Sequence, residues 1–187
     1  MPELFLAFKQ KIMIEFVYKK FDSADKTLRK VIPLWLKEDD GWWYLIGLEK
    51  NKTEIKIFGL DRIEDLKLLE KYNVDLITTV INQQIEKFRY MIGVTKPTFG
   101  TTKREFIELG VSDFLLKYWK HKPIHATQNI TNKKIGKYTI VEFTLIPNIT
   151  LIKLIVSGLG DIKLIGPKKL KMRIKDKYGT FFKTISN

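Results

Sequence analysis

Hydrophobic and polar positions along the chain change period twice, and the changes divide it into three stretches. In the first, Leu4, Phe5 and Phe8 recur at helical spacing after Pro2, a residue suited to an opening helical turn. From Ile12 the pattern alternates instead, placing Ile14, Phe16 and Tyr18 on one side of a strand. Residues 22–26 form a predicted turn, and residues 28–36 a second strand. Pro33 within it demands an edge position or a bend, because proline cannot donate a ladder hydrogen bond. Asp39-Asp40-Gly41 predicts a hairpin leading into Trp42-Trp43-Tyr44-Leu45-Ile46. Two further strands, residues 54–58 and 62–69, complete a strongly bent sheet or small barrel.

The second stretch, residues 73–90, repeats Val74, Ile77, Ile81, Ile85 and Phe88 at three to four, the signature of an amphipathic helix. Gly93 and residues 97–100 then loosen the chain into a linker. In the third stretch element types alternate. A strand at 103–109 precedes a helix capped by Ser112 and bearing Phe114, Leu115, Tyr118 and Trp119. Strands at about 125–132 and 137–145 follow, then a helix capped by Asn148 that stops at Gly158 and Gly160. A strand at 162–165 and a helix opened by Pro167 end the order. β-α-β-β-α-β plus a final helix is the ferredoxin-like pattern. The fold class expected is therefore α+β, with domains at 1–70 and 101–187 joined by residues 71–100.

Charge sharpens this division. Residues 1–70 hold 13 basic and 13 acidic side chains, whereas residues 71–187 hold 21 and 8, the whole of the net +13. Such a second half can attract polyanions, or its lysines can simply solvate a surface. The chain has no cysteine, which excludes disulfides, thiolate metal sites and a cysteine nucleophile. Its longest uncharged apolar run, residues 42–48, is too short for a bilayer, and its start lacks a signal-peptide pattern. A cytoplasmic location without membrane contact is expected, which leaves the Asn-x-Thr triplets at Asn51, Asn129 and Asn148 without a glycosylation role.

Catalytic signals are poor. His121 and His125 have a metal-ligand spacing only on one helix, and Pro123 between them disfavours that helix. Gly158-Leu-Gly160 carries Lys163 where a dinucleotide loop needs its third glycine, and it lies between a helix and a strand rather than the reverse. Asp39 and Asp40 have no third ligand nearby. No enzyme, cofactor or metal is expected. The aromatic strand stands apart: alternation sends Trp43 and Leu45 to one face, and Trp42 and Tyr44 to the other. Core packing is the expectation for Trp43 and Leu45.

The segment Gly41-Trp-Trp-Tyr-Leu-Ile-Gly47, followed by Lys56-Ile-Phe-Gly-Leu-Asp-Arg-Ile63, resembles the signature of the WYL domain family. Trp43-Tyr44-Leu45 matches the name-giving triplet, and Leu60-Asp61-Arg62-Ile63 the closing motif. Pro123-Ile-His-Ala-Thr-Gln128 and Leu154-Ile-Val-Ser-Gly-Leu-Gly160, running into Pro167 and Leu170, resemble the family's C-terminal extension. The resemblance implies an Sm-like or SH3-like barrel and a ferredoxin-like extension, in the effector-sensing, dimer-forming region of a bacterial transcription regulator. A DNA-binding helix-turn-helix domain usually precedes it and is expected on a longer chain, since this one starts directly at the WYL helix. The implied effector is anionic, a nucleotide or single-stranded nucleic acid, held at Tyr18, Trp43, Tyr44, Lys56 and Arg62. Lys56 stands where arginine is typical and Gly59 where a second basic residue is common, which weakens an oligonucleotide grip. For Arg62, an ion pair with Asp61, Glu64 or Asp65 competes with ligand contact. The alternative is a free-standing nucleic-acid-binding accessory protein that uses the basic half.

Overall fold

A computed structural model describes residues 2–21, 25–158 and 160–184; side chains at 76, 80 and 180–184 are not described. The turn expected at 22–26 therefore falls largely outside the described residues, as does Leu159. Contacts divide the chain into two units, residues 1–89 and 90–187. Together they hold two antiparallel sheets and, among the described residues, five α-helices, a mixed α/β architecture.

In the first unit, α1 (Pro2–Gln10) leads into β1 (Ile12–Lys19), β2 (Lys26–Asp39), β3 (Trp42–Glu49), β4 (Ile55–Gly59) and β5 (Ile63–Lys71). The sheet order is β4-β3-β2-β1-β5. Its two edges, β4 and β5, are joined by the single 3₁₀ turn Leu60–Arg62. In a flat sheet those edges would lie about 19 Å apart, at ~4.8 Å per strand. Four Cα steps of about 3.8 Å reach at most ~15 Å. The sheet is therefore curled.

Inside the curl, Ile12, Ile14, Phe16, Tyr18, Val31, Leu45 and Phe58 pack with Leu4 and Ala7 of α1. The alternation expected along β1 is what fills this core. The helix face differs from expectation, because Phe5 is exposed. Leu4, Ala7 and the partly buried Phe8 share the i, i+3, i+4 stripe that meets the sheet, and Phe5 lies one residue off it.

Pro33 sits in a central strand, and the bend it requires is present as a register shift between Pro33 and Trp35. Gly47 opposes it, where a Cβ would collide with Val31 and with the Ile32 carbonyl, so only glycine admits the strand this close. The hairpin turns on Asp40 and Gly41, both at positive φ, with Asp39 paired to Trp42. This is the two-residue turn that aspartate-glycine favours.

The amphipathic stretch opens as a 3₁₀ turn, Val74–Leu76, and α2 (Thr79–Arg89) begins only after Ile77, whose ψ of 80° is not helical. Thr78 caps it by accepting the Ile81 N–H at 3.4 Å. Ile81 and Ile85 cover Ile32, Leu48 and Ile55 on the outer face of the sheet. Gln84 completes the join, accepting Ile55 N–H and donating to the Thr53 carbonyl beside edge strand β4.

The second unit contains β6 (Glu105–Ser112), α3 (Asp113–His121), β7 (Asn129–Ile135), β8 (Tyr138–Leu145), α4 (Ile149–Ser157), β9 (Ile162–Gly166) and α5 (Lys168–Thr184). Its sheet runs β7-β8-β6-β9. Ile107, Leu109, Val111, Val141, Phe143 and Leu145 form the strand side of one core, closed by Leu116, Trp119, Leu151, Leu170 and Ile174 from the helices. Both expected caps are made. Ser112 accepts Leu115 N–H at 3.3 Å, and Asn148 accepts Leu151 N–H at 3.0 Å. The strand expected at about 125 starts at Asn129, because the preceding residues bond to one another. Gln128 accepts Ile124 N–H and donates to the Trp119 carbonyl, while His125 Nδ1 accepts Thr127 N–H. Among the described residues no helix is long and apolar enough to cross a membrane, and no three His, Asp or Glu side chains gather as metal ligands.

Candidate functional site

The site develops at the end of β4, beside the residues of β3 that pair with it. Tyr44 lies opposite Lys37 on β2 and opposite Gly59 on β4, so the three form one row across the sheet. Gly59 ends β4, and the 3₁₀ turn behind it carries Asp61 and Arg62. A Cβ at Gly59 would strike the Arg62 guanidinium and the Asp61 carboxylate. The missing side chain at 59 is thus the space into which the arginine folds.

Arg62 is enclosed by rings. Its guanidinium carbon lies 4.1 Å from the Phe21 ring centroid and 5.5 Å from that of Tyr18. Both distances suit cation–π attraction. Nε is 3.5 Å from Asp61 Oδ1 without making a hydrogen bond to it, and is the one buried side-chain nitrogen or oxygen among the described residues without a hydrogen-bond partner. Such an atom is costly to leave unsatisfied. The ion pair with Asp61 considered from the sequence is present, while no pair to Glu64 forms; Glu64 meets Lys26 instead.

Around this arginine the electrostatics are mixed. Burial, helped by Asp39 and opposed by Arg62, raises the Tyr44 phenol above its usual pKa. Lys37 is pushed down to about 8 by burial, with Asp39 pulling the other way. Its Nζ donates to the Phe88 carbonyl at the end of α2 at 2.5 Å, and it stands 5.7 Å from the Trp35 ring. One cation, Arg62, and two carboxylates, Asp39 and Asp61, thus act on one phenol, with Lys37 opposite it on β2.

Of the five residues named from the sequence, the structure brings Tyr18, Tyr44 and Arg62 together, in different roles. Tyr18 is 6% exposed, edge-on to Phe16 and Phe58, and its hydroxyl accepts Gly59 N–H at 3.2 Å. It supports the edge strand and the arginine from within the core. Lys56 lies three residues back along β4, ~10 Å from Gly59 at strand rise, and pairs loosely with Glu54 at 3.9 Å. Trp43 departs from the expected core packing: it is 52% exposed, while Leu45 two residues on is fully buried. Alternation assigns both to one face, but Trp43 lies beside the hairpin turn, past the end of the core, opposite exposed Glu38. Phe21 and Lys37 were missed. The alternation of β1 ends before Phe21, and Lys37 is distinguished only by what covers it.

A helix-led curled β domain with a ring-clasped arginine at one end, followed by a separate α/β unit, is the class this chain defines. Residues 1–68 match the model of the WYL domain family. No curated protein matches the chain. Among solved structures it is similar to Proteasome accessory factor B/C (PafBC) of Arthrobacter aurescens, with 16% identity and a TM-score of 0.39 over 90% of this chain and 25% of that one. It is also similar to a CRISPR Cas-related protein, with 17% identity and a TM-score of 0.45 over 98% of this chain and 51% of that one. The chain thus spans a quarter and about half of the lengths of these proteins.

Proposed function

We propose that this chain is the effector-sensing region of a bacterial transcription regulator, non-enzymatic, cytoplasmic and paired with a second copy. In this reading the first sheet is an Sm-like barrel, and the second unit, whose order β7-β8-β6-β9 suits the label, is a ferredoxin-like extension. The observation that carries the proposal is the Arg62 guanidinium, within cation–π range of Phe21 and Tyr18, with Nε buried, ion-paired to Asp61 and without a hydrogen bond. An arginine fixed in this way offers charge-assisted hydrogen bonds to phosphate or carboxylate, beside rings on which a base can stack.

The balance of charge narrows the effector. Lys37 and Arg62 face Asp39 and Asp61, Lys56 is far along the strand, and Gly59 adds no charge. A single anionic group attached to a planar ring, as in a mononucleotide or a strand terminus, suits this setting better than a long polyanion. The test titrates mononucleotides and a short single-stranded oligonucleotide into the full chain at two salt concentrations. Saturable binding with a salt slope of about one phosphate is expected. Arg62→Ala should weaken it tenfold or more while leaving the melting temperature nearly unchanged. Equal losses of binding and stability, or a slope of many phosphates, would reject this role.

A further inference from the structure

Two exposed aromatic surfaces remain outside the effector site, one on each unit. The tip of the β2–β3 hairpin carries Trp42, 57% exposed, and Trp43, 52% exposed. Successive strand positions point to opposite faces, so the tip bears a ring on each side. Its flanking charges, Glu38 and Asp40, are exposed and acidic. The second surface is the outer side of α3, where Phe114 and Tyr118 stand one helical turn apart, 62% and 59% exposed, with ring centroids 5.4 Å from each other. Beside them a groove of about 640 Å³ runs over Leu115 toward Ile124. Its charges are of one sign: Lys117 and Lys122 line it, Lys120 adjoins it, and none has a carboxylate partner among the described residues.

Exposed aromatics at this density are unusual on a surface that stays in water. The Phe114 and Tyr118 rings meet at 65°, so they do not form parallel platforms for successive bases. This disfavours a nucleic acid strand. An apolar groove rimmed by lysines fits instead an aromatic projection rimmed by carboxylates, and this chain possesses one.

We propose that the Trp42–Trp43 hairpin tip of one copy seats in the α3 groove of a second copy, and that the contact is reciprocated. Already about half-buried, the two indole rings bring roughly 100 Å² each to the contact. A comparable area lost by the groove, counted twice under two-fold symmetry, gives about 800 Å², the size of a weak, concentration-dependent pairing rather than of a permanent one. The inference rests on the paired-copy reading above and names its contact; it is independent of the effector.

Sedimentation velocity on the full chain across a concentration series tests it. The wild type is expected to dimerise, more weakly at high salt. Trp42→Ala/Trp43→Ala removes the projection, and Phe114→Ala/Tyr118→Ala removes the groove's rings. Each alone should weaken dimerisation at least hundredfold with circular dichroism unchanged, since these side chains are mostly in water. Mixing the two variants should restore a heterodimer, because one intact tip then meets one intact groove. A dimeric wild type whose variants still associate, or a mixture with no recovery, overturns the contact while leaving the pairing itself standing. A wild type that is monomeric throughout overturns both.

Discussion

The two units bury polar groups in opposite ways. In the first, charges are balanced and paired across the curled sheet, as Arg29 with Glu49, Lys30 with Glu15 and Lys50 with Glu70, yet among the described side chains one buried nitrogen, Arg62 Nε, is left without a hydrogen bond. In the second, lysine is in excess on the surface, while the buried polar side chains complete the fold. Asn148 is wholly buried and caps α4 while donating to the Ile92 carbonyl at 2.6 Å; Ser112 caps α3 and donates to Asp161 at 2.6 Å. The unit with the larger net charge is therefore not the one in which a buried side-chain nitrogen lacks a hydrogen bond.

That contrast is broken most severely at the tightest of these polar groups. Asn148→Ala should cost about 3 kcal/mol, since it strands both the Leu151 N–H and the Ile92 carbonyl inside the second unit. Tyr18→Phe removes one bond, to Gly59 N–H, and should cost about 1 kcal/mol. Denaturant unfolding measures both, with hydrogen exchange locating each loss in its own unit. A Tyr18→Phe change that left stability untouched but abolished effector binding would move Tyr18 from support to contact.

How much of this was legible beforehand depends on whether a residue's role is local. The caps Ser112 and Asn148, the hairpin at Asp40-Gly41 and the inward row Ile14-Phe16-Tyr18 follow from spacing alone, because each is decided within a few residues. The bend at Pro33 was legible too, but not the glycine across from it that makes room. Motif resemblance located Arg62 and Tyr44. It could not separate Tyr18 in the core from Tyr44 at the surface, since both sit on alternating strands and only the curl decides which is enclosed. Trp43 was misjudged for a related reason: alternation assigns a face, while the length of the core along the strand decides whether that face is covered. Phe21 lies past the end of a strand, where periodicity carries no information.

A gentler probe uses Lys37, half-buried beside the end of α2. With its folded pKa near 8 and an unfolded value near 10.5, Lys37 binds fewer protons in the native state than in the unfolded chain between those limits. Stability from this group therefore rises with pH across that window, as the buried charge is shed. Relative to Lys37→Met, the wild type should gain melting temperature between pH 7 and pH 10. Other titrations are common to both proteins and cancel. A constant difference would mean that the amine keeps its proton throughout, fixed by the Phe88 carbonyl and Asp39.

The smallest effect on stability should carry the largest information about function. Gly59 has an ordinary extended backbone, φ −67° and ψ 131°, so alanine strains nothing there. The atoms nearest to its Cβ would be the ends of two side chains, the Arg62 guanidinium and the Asp61 carboxylate. At this buried position Gly59→Ala should therefore cost no more than about 1 kcal/mol, the loss of the arginine's ring contacts. The arginine, however, must leave its place between Phe21 and Tyr18. If that clasp is what presents the guanidinium to an effector, affinity falls several-fold while the second unit's behaviour is unaltered. Undiminished binding in Gly59→Ala would mean that the arginine needs only its charge and not its position, and the distinction drawn between the two units would lose its functional half.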